Sequence, residues 1–228
     1  ITETALGISI SNLRREKIPL WIDDSALQNN TVRISEQDQA QASPILASGV
    51  PFPGIDIRIV QAGTNEELST GNAIGEIWIH GPGNAKGYWG KPDLSSESFE
   101  NKISGSDRNY FRTGDLGFLH NGEIFITGRI KDLVIIRGKN HYPQDIENSI
   151  NQKIPEMRGT PCIAFSIQNQ DDEDLVLLIE KDRLDAEDLQ RLNATLRSTV
   201  SRCHGISLSQ IAYIPLGAIP RTRTQKFQ

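Results

Sequence analysis

The dipeptide Asn121-Gly122 limits the fold more than any other feature of the chain. It stands between Phe118-Leu119-His120 and Glu123-Ile124-Phe125-Ile126. A two-residue hairpin turn needs positive φ at both positions, and Asn-Gly meets that demand at the least cost. The segment therefore predicts an antiparallel hairpin with two half-buried strands. Upstream, Ile55, Ile57 and Ile59 alternate with polar neighbours, and Ile74 to Ile79 forms a second such run. Gly and Pro crowd the interval from Gly81 to Pro92, as loops at the rim of a barrel-like sheet would require. Past the hairpin, Gly128-Arg129-Ile130-Lys131-Asp132 interrupts the strand pattern before Leu133-Val134-Ile135-Ile136, and a domain boundary is expected there.

Beyond that interruption helices and strands alternate. Pro143 suits the first turn of a short helix in which Ile146 and Ile150 share a face. Cys162 to Ile167, Leu175 to Ile179 and Ile211 to Ile214 read as strands. Asp171 to Asp174 reads as a solvated acidic turn, because it lacks the glycine and distal glutamate of a calcium loop. Asp185 can cap a helix to about Cys203, with Leu189, Leu192, Leu196 and Val200 on one core-facing stripe and Gly205 just past its end. Near the N-terminus, the polar stretch from about Asp23 to Ser43 is expected to be a surface insertion or a loop with a short helix.

Several classes of function are excluded by composition. A net charge of −5 over 228 residues argues against nucleic acid as the main partner. No apolar run approaches the roughly 20 residues of a membrane-spanning helix. Cys162 and Cys203 make neither a metal spacing nor a disulfide framework, which favours a cytoplasmic setting. The chain starts at Ile1 and ends at Gln228 without a signal-peptide pattern or initiator methionine, so a fragment of a longer polypeptide is expected. His80, His120 and His204 are scattered and form no metal set, and His141 suits a capping or interdomain contact better than catalysis.

The most informative residues are Tyr110-Phe111-Arg112-Thr113-Gly114-Asp115-Leu116-Gly117, the hairpin, and then Gly128-Arg129-Ile130-Lys131-Asp132. With Gly75 to Gly81, Lys86-Gly87-Tyr88 and Pro220 to Lys226, these resemble, in order and along nearly the whole chain, the adenylate-forming enzyme superfamily. Its members activate a carboxylate with ATP and pass the acyl group to a thiol. The resemblance implies an α+β chain: a distorted β-barrel subdomain followed by a small α+β lid domain. Residues 1–48 would end a large N-terminal domain and include an insertion, 49–128 would form the barrel, and 129–228 the mobile C-terminal domain. It also implies roles. Asp115 would accept from the ribose hydroxyls, for which an acceptor-only group with two oxygens is suited, and Arg129 would add a donor. Ile1-Thr2-Glu3-Thr4 resembles the end of a motif in which Thr2 contacts the α-phosphate and Glu3 helps hold Mg²⁺. Lys131 falls at the family's hinge. Lys226 would be the catalytic lysine, although Gln225 stands where glycine is usual. Strand Gly75 to Gly81 and Tyr88 are assigned structural roles.

The run Asn140-His141-Tyr142-Pro143-Gln144-Asp145-Ile146-Glu147 resembles the fatty acyl-AMP ligase branch, which loads acyl chains onto carrier proteins of polyketide and lipopeptide pathways. The polar stretch around Pro19 to Ser43 lies where that branch carries an insertion, whereas Thr2 departs from its usual alanine. The expected substrates and cofactors are therefore a fatty acid, ATP, Mg²⁺ and an acyl carrier protein. An acyl-CoA ligase, an amino-acid adenylation domain, and a non-catalytic docking module stay open as alternatives.

Overall fold

In the computed structural model, which describes residues 2–4, 7–11, 18–36, 41–68, 71–169, 172–182 and 185–221, the Asn121-Gly122 turn forms as its residue types require. Asn121 takes φ 51° and Gly122 φ 79°. The strands it joins are longer than the flanking alternation alone predicts. Contacts divide the chain into two units, residues 1–131 and 132–228.

In the first unit the elements are β1 (Ser9–Ile10), β2 (Leu20–Asp23), α1 (Asp24–Gln28), β3 (Ala42–Ile45), β4 (Val50–Pro51), β5 (Asp56–Val60), β6 (Gly75–His80), α2 (Pro92–Phe99), β7 (Phe111–His120) and β8 (Glu123–Arg129). β5, β6, β7 and β8 form an antiparallel sheet in that order, and β1/β4 and β2/β3 pair separately. A closed barrel is therefore not what residues 49–128 make; among the described residues the sheet stays open. Both of its edges are occupied by other backbone. Beside β8, Ser48 N–H donates to the Ile124 carbonyl at 2.7 Å and Ile124 N–H to the Gly49 carbonyl at 2.9 Å. Beside β5, Leu68 N–H donates to the Ile59 carbonyl at 2.8 Å. Covered edges remove the need for closure.

β6 corrects a second expectation. The half-buried alternation predicted for Ile74 to Ile79 is absent, because Glu76 is 2% exposed and Trp78 fully buried alongside Ile77 and Ile79. Each face of this inner strand packs. Ile57, Ile59, Ile77, Ile79 and Ile124 form one cluster, and Val60, Trp78, Ile103 and Tyr110 another. Among its described residues the stretch from Asp23 to Ser43 carries the expected short helix, α1, and adds strand pairing to it. Asp23 accepts from the Ala26 amide at 2.9 Å, capping α1, and β2 runs antiparallel to β3. Hydrogen bonds from Ser25 and Arg33 hold the Asp23 carboxyl down at about 2.

The second unit contains β9 (Val134–Ile136), β10 (Lys139–His141), α3 (Pro143–Lys153), β11 (Cys162–Asn169), β12 (Asp172–Glu180), α4 (Ala186–His204) and β13 (Leu208–Ile214). β12 pairs antiparallel with β11 and parallel with β13. Asp185 caps α4 by accepting from the Asp188 amide at 2.8 Å, and Gly205 ends it at φ 69°. Leu192, Leu196 and Val200 of α4 pack with Ile146 and Ile150 of α3 and with Leu175, Leu177 and Ile179 of β12. The acidic stretch is not a solvated turn from Asp172 onward. It extends β12, where Glu173 accepts from the Ile135 amide at 2.9 Å and Asp174 from the Ser209 hydroxyl at 2.9 Å. His141 is 5% exposed in β10, and the α3 N-cap is Tyr142, which makes no side-chain cap bond. Among the described residues no helix is long and apolar enough to cross a membrane.

His204, the last residue of α4, lies 3.0 Å from the Ser149 hydroxyl of α3. Burial, then the charges of His141 and Lys153, push its imidazole down to about 4. The unfolded chain, with its ordinary value near 6.5, takes up a proton that the folded unit refuses. The folded value is the lower one, so the stabilisation is whole above about pH 6.5 and is lost as pH falls towards 4, by about 3 kcal/mol in all. Thermal unfolding of this unit should therefore shift downward between pH 7 and 4.5, and His204→Gln should flatten that dependence. Parallel pH curves for the two proteins would contradict the assignment.

Candidate functional site

The geometry around Asp115 comes from irregularities in the sheet. Along β6 and β7, Glu76 pairs with Leu116 and Trp78 with Arg112, so Thr113, Gly114 and Asp115 all stand opposite Ile77. Extra residues of this kind bend the strand and re-aim its side chains. Gly114 takes φ 70°, which only glycine adopts freely. Its Cβ position is open, so the backbone conformation sets the requirement, not space. Gly117 is the converse case, since a Cβ there would lie 2.2 Å from the Phe125 carbonyl oxygen. β7 and β8 shift register as well: Leu116 pairs with Gly128 and Gly117 with Ile126, leaving Thr127 as the extra residue. Asp115 and Arg129 thereby become cross-strand partners.

Arg129 Nε donates to Asp115 Oδ1 at 2.8 Å, with the Asp115 side chain 13% exposed and that of Arg129 54%. One face of the carboxylate is thus fixed by a cation. Two carboxylate oxygens offer about four lone-pair sites, so the group retains capacity for a neighbouring diol. Around this pair the turn is tightly held. Thr113 Oγ1 donates to the Ile77 carbonyl at 2.7 Å and accepts from the Asp115 amide at 3.0 Å. Glu76 Oε1 accepts from the Gly114 amide at 3.2 Å, and Oε2 pairs with Arg112 Nη2 at 3.0 Å and Nε at 3.1 Å. Arg112 also lies over the Trp78 ring, 5.5 Å from its centroid.

The other expected residues are found at separate places. Glu3 sits in a 3-10 turn, Thr2–Thr4, where its Oε1 accepts from the Tyr88 hydroxyl at 3.2 Å and its carbonyl from the Ala85 amide at 2.8 Å. Burial, with the Glu3 charge, raises the Tyr88 phenol. Tyr88 is thus more than packing: it ties the loop after β6 to Glu3, and its ring meets Phe99 of α2 edge-on at 5.3 Å. Thr2 opens the same turn, and its side chain is outside the described residues. Lys131 is exposed in the 3-10 turn Ile130–Asp132, at the division between the units.

Lys226 lies outside the described residues, and the closing motif is described only through Pro220 and Arg221. There Glu180, 1% exposed at the end of β12, accepts from the Ile219 amide at 2.6 Å and from Arg221 Nη2 at 3.1 Å. The Ile219 amide is the main reason its carboxyl stays below the usual range. Neither Glu76 nor Glu180 is a site candidate from sequence. The available signal is an acidic residue set in or directly after an apolar run, Glu76 before Ile77-Trp78-Ile79 and Glu180 after Leu175 to Ile179, which must find a partner if the strand is buried.

Known proteins divide the chain in a similar way. The AMP-binding enzyme family model matches residues 22–89, and the AMP domain of Disco-interacting protein 2-like proteins matches residues 131–228. The Mycobacterium leprae (strain TN) protein named fatty-acid–CoA ligase fadD21 is 36% identical over 91% of the chain and 36% of its own length. The medium-chain-fatty-acid–[acyl-carrier-protein] ligase JamA of Moorena producens (strain JHB) is 33% identical over the whole chain and 39% of its own length. The chain therefore spans well under half of the curated relatives it matches. A solved structure from work on fatty acyl-adenylate ligases of E. coli and L. pneumophila superposes with a TM-score of 0.82 at 30% identity, over 99% of this chain and 39% of that one. Each unit thus contains a segment matched by an AMP-binding family model, and along nearly its whole length the chain is similar to fatty acyl-adenylate ligases.

Proposed function

We propose that the protein activates a fatty acid with ATP to an acyl-adenylate and transfers the acyl group to an acyl carrier protein of a polyketide or lipopeptide pathway. The observation that carries this reading is the cross-strand Asp115–Arg129 pair, held at 2.8 Å on a doubly bulged sheet. Asp115 accepts from the ribose hydroxyls, and Arg129 both orients that carboxylate and offers its remaining N–H groups to the ribose and the nearby phosphate. A carboxylate fixed before the ligand arrives loses little freedom on binding.

Glu3 suits a Mg²⁺ ion. Such ions are held by one or two carboxylates together with substrate phosphates, and among the described residues no larger set of metal-ligating side chains gathers. Tyr88 donates to one Glu3 oxygen and so orients the carboxylate. The ion, when bound with ATP, neutralises phosphate charge. Thr2 contacts the α-phosphate. Lys226 meets the charge that grows between carboxylate and α-phosphate, and Lys131 is the hinge between a C-terminal domain and the barrel-like sheet. The setting is the reducing cytoplasm, where Cys162, buried, and Cys203 remain thiols.

Three measurements on the whole protein test this reading. Asp115→Ala should raise KM for ATP by roughly 10- to 100-fold, the worth of charge-assisted hydrogen bonds to two hydroxyls, and leave KM for the fatty acid in place. An unchanged ATP KM would remove Asp115 from the site. Lys226→Ala should slow acyl-adenylate formation about a hundredfold, the scale of one misplaced transition-state charge, while thioester formation from supplied acyl-adenylate persists; equal loss of both steps would refute the role. Carrier protein and coenzyme A offered in parallel should give acyl-carrier product, and efficient acyl-CoA formation would instead favour the activity named for the fadD21 relative.

A further inference from the structure

We propose that Glu76 is a positioning residue for nucleotide recognition: its buried carboxylate fixes the Thr113-Gly114-Asp115 bulge from below and so sets where Asp115 meets the ribose. The inference rests on the ribose role of Asp115 and extends it to a residue that never touches the nucleotide.

Glu76 is 2% exposed on the inner strand β6, among side chains that are otherwise apolar. A carboxylate so placed must be paired and hydrogen-bonded, or its burial costs more than the strand gains. Arg112 Nε reaches both of its oxygens, Oε1 at 3.4 Å as well as Oε2, and Oε1 alone also meets backbone. Oε2 faces the Arg112 guanidinium, with Nη2 at 3.0 Å and Nε at 3.1 Å, and that guanidinium is held in turn over the Trp78 ring. Oε1 accepts from the backbone amide of Gly114 at 3.2 Å. Gly114 has the positive φ that redirects the chain between Thr113 and Asp115. The amide bonded to Glu76 is thus the one whose orientation turns the next residue, Asp115, out towards Arg129. On the other side of the bulge, Thr113 Oγ1 joins the Ile77 carbonyl to the Asp115 amide. Glu76 and Ile77 are consecutive, so a two-residue segment of β6 holds both ends of the bulge.

An apolar residue at position 76 would serve burial equally well and would need no arginine. What the carboxylate adds is a directed acceptor for one particular amide and a charge that recruits Arg112 to the start of the same bulge. This adds to binding by pre-organisation, without a new ligand contact.

The test compares ATP with 2′,3′-dideoxy-ATP as substrates of the whole protein, wild type and Glu76→Gln. Gln keeps the size of the side chain but gives up the charge that holds Arg112 and the Gly114 amide. The expected result is that KM for ATP rises about tenfold while KM for the dideoxy nucleotide, which has no hydroxyls for Asp115, stays within about twofold. The wild-type preference for ATP then shrinks by about the same factor. Equal weakening of both nucleotides would show a merely structural role and overturn the proposal, as would an unchanged preference. Should Glu76→Gln fail to fold, Glu76→Gln/Arg112→Met leaves no unpaired charge in the sheet and is read by the same criterion. If wild type does not distinguish the two nucleotides, the ribose role of Asp115 itself is wrong and this inference falls with it. If wild type does distinguish them and Glu76→Gln does so equally well, only the positioning role is lost.

Discussion

The buried carboxylate of Glu76 is the constraint around which the first unit is arranged. An inner strand packed on each face has room for isoleucines and a tryptophan, and a charge there must be compensated from a neighbouring strand. Arg112 supplies that compensation from β7, where it also covers the Trp78 ring. The pairing settles more than an electrostatic debt. It pins the residue that opens the bulge, and the Gly114 amide pins its middle. Regular pairing resumes at Leu116, so the turn bearing Asp115 is bounded by ordered sheet before and after it. Replacing the pair by apolar residues could preserve a core of similar volume; it would leave the three-residue bulge to its own backbone preferences.

The same economy appears in the second unit. Glu180 closes β12 at 1% exposure and receives the Ile219 amide and the Arg221 guanidinium, fixing the backbone just before the segment that carries Lys226. In each unit a strand contributes a buried glutamate that takes backbone amide hydrogen bonds and one arginine from a stretch distant in sequence: Gly114 and Arg112 for Glu76, and Gly217, Ile219 and Arg221 for Glu180. Burial makes the charge costly to leave unpaired, and that cost turns a flexible stretch into a defined one. Surface ion pairs such as Arg191 with Asp188 on α4 have no comparable leverage, because water screens them and competes for their donors.

Features encoded locally were legible in the sequence. The Asn121-Gly122 turn, the Asp185 cap, the α4 stripe and the Gly205 stop each depend on residues within a few positions of one another, and the structure forms each of them. Non-local features were not legible. Strand alternation suggests a solvated Glu76, because Arg112, 36 positions away, is invisible to a local window. Asp172 to Asp174 reads as a turn for the same reason: Ser209 and the Ile135 amide, which meet Asp174 and Glu173, are more than 30 positions distant. That the four-stranded sheet stays open, with its edges covered by residues 47–49 and 66–68, was not legible because such coverage has no sequence signature. α2 was missed through weak amphipathicity, with Phe99 its buried residue, although Pro92 and Asp93 carry the proline and first-turn acid of a helix start.

Asp115 and Arg129 lie between these two cases. Their motifs identify them individually, but nothing in the motifs says that they face one another. Two register shifts, one on each side of β7, bring them opposite. Had β7 paired regularly with β6, the residues from Arg112 to Leu116 would have followed a two-residue alternation, and Asp115 would have been directed by that alternation alone. The bulges break this rule at the cost of regular ladder bonds, and the structure restores part of what is lost through the Thr113 hydroxyl and the Glu76 carboxylate. A site assembled this way depends on its supporting residues as strongly as on its contacting ones. For that reason the acidic residue inside an apolar strand was as informative as the motif it supports, once the sheet register was known.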